Sequence, residues 1–319
     1  MKDIYVCSKP LQWFNARNIP NNNTIPKVLI FINTYKNANL FFEKIKNYDY
    51  YWDEVYLVNS RKESRILLRK FTINSLFVDC DYGILGYLYS RIEHKQFCLY
   101  EEGIGNYTNI LKRSKYSPIK GILLSLLGSG PILGTSRFTD LIYLHNPRYY
   151  LEFCRNSGYG GIETKVVRFE DKFFNLMSLH INLLTNIFKL PEFISLIKKK
   201  RICLYLLNYH IRNDALDFII ANEKKFDMVI FKAHPNFKYD NIPTKIPIQT
   251  ELHWIREKGV MAEFLIQILN EKEKGNTLTI INEGSTSCIY LDPNEVTIIN
   301  LASLFNRMTS DFKKTYFNK

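Results

Sequence analysis

The sequence predicts an α/β protein made of two facing Rossmann-like halves, and three observations carry that prediction. Short apolar runs alternate with amphipathic stretches of helical period, so helices separate the strands. The alternation occurs twice, over 1–155 and over 201–300, with a mainly helical stretch at 156–200 between them. Several apolar runs stop abruptly at charged or hydroxyl residues, as parallel strands do where their carboxyl ends carry chemistry. A chain of 319 residues also exceeds what one core usually fills. The expected organisation is a first domain (1–155), a helical linker (156–200), a second domain (201–300) and a tail (301–319) that packs back or faces a membrane. The active site is expected in the cleft between the domains.

Taken in order, residues 3–8 form the first strand, and Pro10 then suits the first turn of a helix, where its missing N–H costs nothing. Further strands are predicted at 28–32, 54–58, 75–78, 97–100 and 140–144, with helices at 38–48, 61–71 and 87–93. Asn21, Asn22 and Asn23 make a loop. The rhythm breaks over 108–136, where an apolar stretch is flanked by Lys112, Arg113, Lys115 and Lys120. That stretch reads as a core helix with a glycine stop, or as an amphipathic segment that docks on a membrane or covers a cleft. The second half predicts strands at 202–207, 228–232, 246–249 and 277–281, helices at 214–223 and 260–269, and a helix opened by Gly284-Ser285-Thr286-Ser287.

Composition narrows the class. With 46% hydrophobic and 23% charged residues the chain is globular rather than disordered. Its six cysteines fall in no paired spacing and several lie in apolar runs, which points to reduced core thiols and away from zinc. The start runs straight into a strand without a signal-peptide pattern, and the apolar stretches at 119–127 and 173–190 are too short or too interrupted to span a bilayer. A formal charge of +12 calls for an anionic partner. No nucleic-acid module is recognisable. Peripheral contact with an anionic membrane, at the inner face of the cytoplasmic membrane, is therefore the expected reason for the charge, concentrated at 198–201 and in the tail.

The chemistry is expected at the strand ends. In the first half, Phe97-Cys98-Leu99-Tyr100 runs into Glu101-Glu102-Gly103. Two adjacent carboxylates repel, and partial burial would raise the pKa of at least one, giving a candidate general base; the plain alternative is a solvated turn. In the second half, Lys232 and His234-Pro235 follow one strand and Ser285-Thr286-Ser287 another. Hydroxyls, backbone N–H groups and a histidine there suit an anionic oxygen, against the plainer readings of an N-cap and an ordinary histidine. His145, His180, His210 and His253 are read as structural. Asp79-Cys80-Asp81 has the look of a metal-binding Asp-x-Asp pair, or of a turn cap.

These motifs as a set resemble the bacterial sialyltransferases that use CMP-sialic acid. Shared features are the acidic pair with glycine (Glu101-Glu102-Gly103), His234-Pro235 after a strand and the Ser285-Thr286-Ser287 cluster. The opening Pro10-Leu11-Gln12 with Asn15-Ala16, and Met261-Ala262-Glu263 where those families have Pro-Ala-Glu, complete the set. The resemblance implies a GT-B fold and an inverting, metal-independent transfer of sialic acid to a terminal sugar hydroxyl, with galactose the expected sugar, of a bacterial surface glycan (O-antigen, lipooligosaccharide or capsule). It implies that Glu101 is the base and that His234, Ser285 and Thr286 bind the departing phosphate. It further implies that Glu263 holds the ribose, with Lys232, Pro235 and Ser287 also on the CMP-sugar side. Gln12, Asn15, Glu102 and Gly103 then belong to the acceptor side, the partners being a nucleotide-sugar donor and a lipid-linked glycan, with no cofactor. The alternatives are a metal-dependent glycosyltransferase using Asp79 and Asp81, a transferase of another CMP-keto-sugar such as Kdo, and a basic membrane- or nucleic-acid-binding module.

Overall fold

The computed structural model describes residues 1–20, 24–107, 118–207, 210–234, 237, 246–257, 259–283, 285–292 and 294–300. Two compact units emerge, one holding Met1–Thr34 and Ala38–Lys172, the other holding Tyr35–Asn37 and the described chain from Phe173 onward.

The first unit is laid on seven parallel strands: β1 (Lys2–Cys7), β2 (Lys27–Ile32), β3 (Glu54–Val58), β4 (Ile73–Val78), β5 (His94–Tyr100), β6 (Leu141–Leu144) and β7 (Val166–Arg168). Their order in the sheet is β3-β2-β1-β4-β5-β6-β7. The connecting helices are α1 (Pro10–Arg17), α2 (Ala38–Tyr48), α3 (Arg61–Leu68), α4 (Gly83–Ser90), α5 (Pro118–Leu126) and α6 (Pro147–Asn156). Local sequence explains their starts. Pro10 and Pro147 open α1 and α6 with a preset φ. Ser60 caps α3 by accepting from the Glu63 N–H at 3.1 Å, and Glu63 Oε2 accepts from the Asn59 N–H at 2.9 Å, the reciprocal arrangement of a capping box set one residue back.

Asp49, at the end of α2, is a buried anchor for α1. Trp13 Nε1 and Trp52 Nε1 donate to its Oδ2 at 2.9 and 2.8 Å, and Arg17 Nε donates to Oδ1 at 2.9 Å. Two of these charge-assisted bonds come from α1 and hold it in a fixed rotation, and so fix where Gln12 and Asn15 are presented, while Trp52 steadies the carboxylate.

The second unit adds α7 (Phe173–Leu179), α8 (Ile181–Ile187) and α9 (Glu192–Leu196), then a sheet of β8 (Arg201–Leu206), β9 (Met228–Lys232), β10 (Leu252–Ile255), β11 (Thr277–Asn282) and β12 (Thr297–Asn300). The order is β10-β9-β8-β11-β12, all pairs parallel. Helices α10 (Asn213–Ala221) and α11 (Ala262–Leu269) join the strands. Both faces are apolar, as a parallel sheet covered on both sides requires. Ile202, Leu204 and Leu206 pack with Leu265, Ile266 and Leu269 of α11, whereas Cys203 and Tyr205 pack with Ala215 and Ile219 of α10.

Each sheet reverses its direction of growth once. In the first unit β2 and β3 extend to one side of β1 and β4 returns to the other; in the second, β9 and β10 extend to one side of β8 and β11 to the other. Such reversals open crevices beyond the strand ends, between β1 and β4 and between β8 and β11.

Several expectations are corrected. The stretch 156–200 is not wholly helical, because Val166–Arg168 pairs with β6 and belongs to the first sheet. The strand expected at 246–249 is displaced to Leu252–Ile255, since Pro247 offers no N–H to a ladder. The helix expected at 87–93 starts earlier, at Gly83. Strands β7 and β12 are three- and four-residue edge strands, too short to register as alternation. All six cysteines are free thiols, five of them buried. Among the described residues no helix is long and apolar enough to cross a membrane. The tail 301–319 and Lys112, Arg113 and Lys115 lie outside the described residues.

Candidate functional site

The first group of polar residues is built on the end of β5. Phe97, Cys98, Leu99 and Tyr100 are fully buried and carry Glu101 to 0% exposure. The Glu101 backbone N–H donates to the Tyr143 carbonyl of β6 at 2.9 Å, so the carboxylate leaves the sheet in strand register. The backbone N–H of His145, one residue past β6, donates to Glu101 Oε2 at 2.7 Å. Asn15 of α1 closes the group: its Nδ2 donates to the Glu101 carbonyl at 2.7 Å, and its Oδ1 lies 3.1 Å from His145 Nε2. With Nδ2 acting as donor, Oδ1 is an acceptor, so the imidazole proton is assigned to Nε2. The ring stacks on Phe169 at 4.0 Å. Burial drives the His145 pKa down to about 3, and the imidazole is neutral at ordinary pH. It therefore orients Asn15 without setting a positive charge beside the carboxylate.

Glu102 goes elsewhere. Its Oε1 accepts from Lys9 Nζ at 2.8 Å, and its backbone N–H donates to Asn106 Oδ1 at 2.7 Å. The repulsion expected between adjacent carboxylates is thus relieved by divergence: one side chain turns in, the other turns out to a lysine. Gly103 follows with φ +116°, a conformation an L side chain rarely adopts, and the turn away from β5 depends on it.

Gln12 and Asp79 bridge the crevice between β1 and β4. Gln12 Oε1 accepts from the Ser8 N–H at 2.8 Å, and Gln12 Nε2 donates to Asp79 Oδ2 at 2.8 Å. Arg61 forks onto both oxygens of Asp79 at 2.9 and 2.8 Å. Asp81 is engaged separately. Its carboxylate accepts from the Gly134 N–H at 3.0 Å and from Thr139 Oγ1 at 2.7 Å. Burial pushes the Asp81 carboxyl pKa up against these bonds. Asp79 and Asp81 hold different segments together and do not converge on one point. Among the described residues no group of three or more His, Cys, Asp or Glu side chains is arranged to hold a metal.

The second group lies at the strand ends of the other unit. Lys232 ends β9 at 4% exposure, and its Nζ donates to the Ala233 carbonyl at 2.8 Å. Glu263 stands in the first turn of α11, with Met261 as its N-cap, and is buried. Ser287 Oγ donates to Glu263 Oε1 at 2.9 Å, and Ser285 Oγ lies 2.9 Å from Ser287 Oγ. The Ser285 N–H donates to Asn282 Oδ1 at 2.7 Å, tying this chain to the end of β11. Burial lowers the Lys232 pKa to about 8, opposed by Glu263 and Glu257, and raises that of Glu263, opposed by its own backbone N–H, Ser287 and Lys232. The corner thus carries a buried cation, a buried carboxylate and two hydroxyls in one electrostatically coupled set.

His234 is half-buried beyond β9, its carbonyl accepting from the Phe237 N–H at 2.9 Å. Pro235 and Gly284 lie outside the described residues. The helix expected after Gly284 is a single 3-10 turn, Thr286–Ile289, with Ser285 as its cap. A turn that short has little macrodipole, so what it offers an anion is hydroxyls and backbone N–H groups.

No protein-family model matches the sequence, and no curated protein does. Solved structures do resemble it. The UDP-GlcNAc 2-epimerase of Methanocaldococcus jannaschii, in complex with UDP-GlcNAc and UDP, aligns over 94% of this chain and 84% of its own, with a TM-score of 0.56 and 13% identity. The UDP-GlcNAc 2-epimerase of Neisseria meningitidis, bound to UDP-GlcNAc, aligns over 98% and 91%, with a TM-score of 0.52 and 11% identity. Anabaena HepE, in complex with UDP, aligns over 99% and 91%, with a TM-score of 0.50 and 8% identity. The fold is GT-B. At such identities the likeness is one of architecture, and the chemistry of this GT-B chain is argued from its own residues.

The residues expected from sequence fall into two sets. Glu101 and Asn15 meet in the first unit, with Gln12, Glu102 and Gly103 shaping the turns around them. Lys232, Glu263, Ser285 and Ser287 meet in the second, with His234 and Thr286 following the same two strands. Two features escaped the sequence reading. His145, read as structural, supplies the N–H that holds the Glu101 carboxylate; its position at a strand end before Pro147 was the available signal. Glu283 is buried beyond β11 and hydrogen-bonded to the Tyr205 hydroxyl. It repeats the strand–carboxylate–glycine pattern of Glu101-Glu102-Gly103 and could have been found on that ground.

Proposed function

We propose that this chain is an inverting glycosyltransferase that moves sialic acid from CMP-sialic acid to a sugar hydroxyl of a bacterial surface glycan. The observation that carries the reading is the coupled corner of Lys232, Glu263, Ser285 and Ser287. Residues separated by up to 55 positions come together at the strand ends of a GT-B unit, and they are the residue types a nucleoside monophosphate requires. A buried carboxylate suits vicinal ribose hydroxyls, and hydroxyls, N–H groups and a nearby histidine suit a phosphate. The resemblance of the motif set to CMP-sialic acid-dependent enzymes selects cytidine and sialic acid within that class.

In this mechanism Glu101 takes the proton of the acceptor hydroxyl as its oxygen forms a bond to the anomeric carbon of sialic acid. The bond from that carbon to the phosphate oxygen breaks, and CMP leaves with the electron pair. His234, Ser285 and Thr286 stabilise the charge that collects on the phosphate. His145 and Asn15 hold Glu101 in the position the transfer needs. No metal ion is assigned a part. The metal-dependent alternative is disfavoured because the oxygens of Asp79 accept from Arg61 and Gln12, while Asp81 is bound to Gly134 and Thr139.

Thermal unfolding with CMP, UDP and no nucleotide tests the donor assignment. A ligand at about a hundred times its Kd stabilises by about 2.7 kcal/mol, which is readily seen as a shift in Tm. CMP is expected to protect the wild type and to protect Ser287→Ala less, with UDP weaker on both. Protection by UDP and none by CMP would overturn the assignment.

A further inference from the structure

The first unit contains a cavity with a volume of about 190 Å³, and Glu101 is not among its lining residues. It lies between the start of α4, the end of α5 and the loop 128–137. Tyr82 and Tyr159 supply rings, Ser125 and Ser129 hydroxyls, and Arg137 a guanidinium. The loop is shaped for this. At Gly130 a Cβ would fall 2.0 Å from Thr135 Oγ1 and 2.7 Å from its backbone, so the loop closes on itself only with glycine there. The Gly130 N–H then donates to Ser136 Oγ at 3.0 Å.

The cavity offers hydroxyls, each able to donate, and one cation. Ser129 Oγ accepts from the Gly83 N–H at 2.8 Å, which leaves its own O–H to give. Ser125 is exposed, and no hydrogen bond is made by its hydroxyl among the described residues. The Arg137 stem packs over Gly128, and its exposed guanidinium makes no ion pair among the described residues. Among the described residues no aspartate or glutamate lines the cavity. A site with a cation, hydroxyls able to donate and no carboxylate suits a ligand that carries negative charge, and guanidinium forks match carboxylate and phosphate oxygens. The volume falls below the roughly 300–1,000 Å³ of pockets for larger ligands, so one ring fits and a nucleotide does not. Tyrosine rings with polar tips suit a sugar, which is apolar on its C–H faces and polar at its rim.

The loop that lines the cavity also approaches the turn after Glu101. Leu133 lies in the same loop; its carbonyl accepts from the Tyr150 hydroxyl at 2.5 Å, and its Cδ1 is 3.7 Å from where a Cβ on Gly105 would stand, four residues beyond Glu101.

We propose that this cavity is a subsite for one negatively charged sugar residue of the acceptor, carrying either a carboxylate or a phosphate. The acceptor role rests on the proposed transferase function, whereas binding of the sugar does not. The test titrates the full chain, without donor, with galactose, galacturonic acid and galactose 6-phosphate by ligand-observed NMR. Both anions are expected to bind about five- to tenfold more tightly than galactose, the tighter of the two naming the substituent. Arg137→Gln is expected to abolish that preference while galactose binding persists. Ser125→Leu, at an exposed position, is expected to block all three. Equal affinities, no binding of any sugar, or an anion preference that survives Arg137→Gln would overturn the proposal. CMP release from a neutral acceptor is read separately, so failure here leaves the transferase assignment standing, and the reverse holds too.

Discussion

Lys232 gives the account its most quantitative prediction. The side chain is 4% exposed at the end of β9, and burial lowers its pKa from 10.5 to about 8. Below pH 8 the folded protein must hold a buried ammonium that the unfolded chain solvates freely. Between pH 8 and 10.5 the unfolded lysine is protonated and the folded one is not, so this group makes stability rise with pH. At 1.36 kcal/mol per unit, the lysine costs about 3 kcal/mol at pH 7 and under 1 kcal/mol at pH 10. The six thiols, five of them buried and all with raised pKa values, act in the opposite sense above their unfolded pKa near 9. The difference between wild type and Lys232→Met therefore isolates the lysine. Urea unfolding of both at pH 7, 8, 9 and 10 should show the wild type gaining about 2.5 kcal/mol on the variant from pH 7 to 10. Loss of the cation also raises the Glu263 pKa in the variant, which acts in the same direction. A difference that stays flat within about 0.5 kcal/mol would refute the burial of Lys232 beside Glu263.

Two further predictions concern the first unit. Asp79→Asn breaks the fork to Arg61 and should cost about 3 kcal/mol in urea unfolding, below the upper range for buried pairs because the Arg61 side chain is 26% exposed; a cost under about 1 kcal/mol would contradict the buried pairing. His145 is neutral in the folded state to about pH 3 and charges near 6.5 when unfolded, so its contribution is present above 6.5 and is lost as pH falls towards 3. His145→Gln should remove about 4 kcal/mol of that acid sensitivity, and a variant as acid-labile as the wild type would contradict it.

Much of the fold was legible because parallel strands buried on both faces leave apolar runs that stand out from polar loops. Runs such as Val28–Ile32 and Thr277–Ile281 needed no tertiary information. What could not be read was set by contacts distant in sequence. Val166–Arg168 becomes a strand only because β6 offers it an edge, and the proline at 247 decides against a strand that local β-propensity favours. The site divides the same way. Glu101, Lys232 and Ser285 were visible as polar residues at strand ends, where the fold class concentrates chemistry. Glu102 looked equivalent to Glu101, and only the position of Lys9, 93 residues away, turns it outward. The role of His145 depends on its backbone N–H, which no side-chain pattern reports.

The central claim is that Glu101 is the base of a CMP-sialic acid-dependent transfer. Its most direct test is CMP release with a galactose-terminated acceptor, for wild type and Glu101→Gln, each with and without EDTA. Wild-type turnover should be unchanged by EDTA and fall by at least about a hundredfold in the variant, within the range for a positioned general base, with CMP still protecting the variant thermally. Turnover that persists in Glu101→Gln, or that EDTA abolishes in the wild type, would contradict the account.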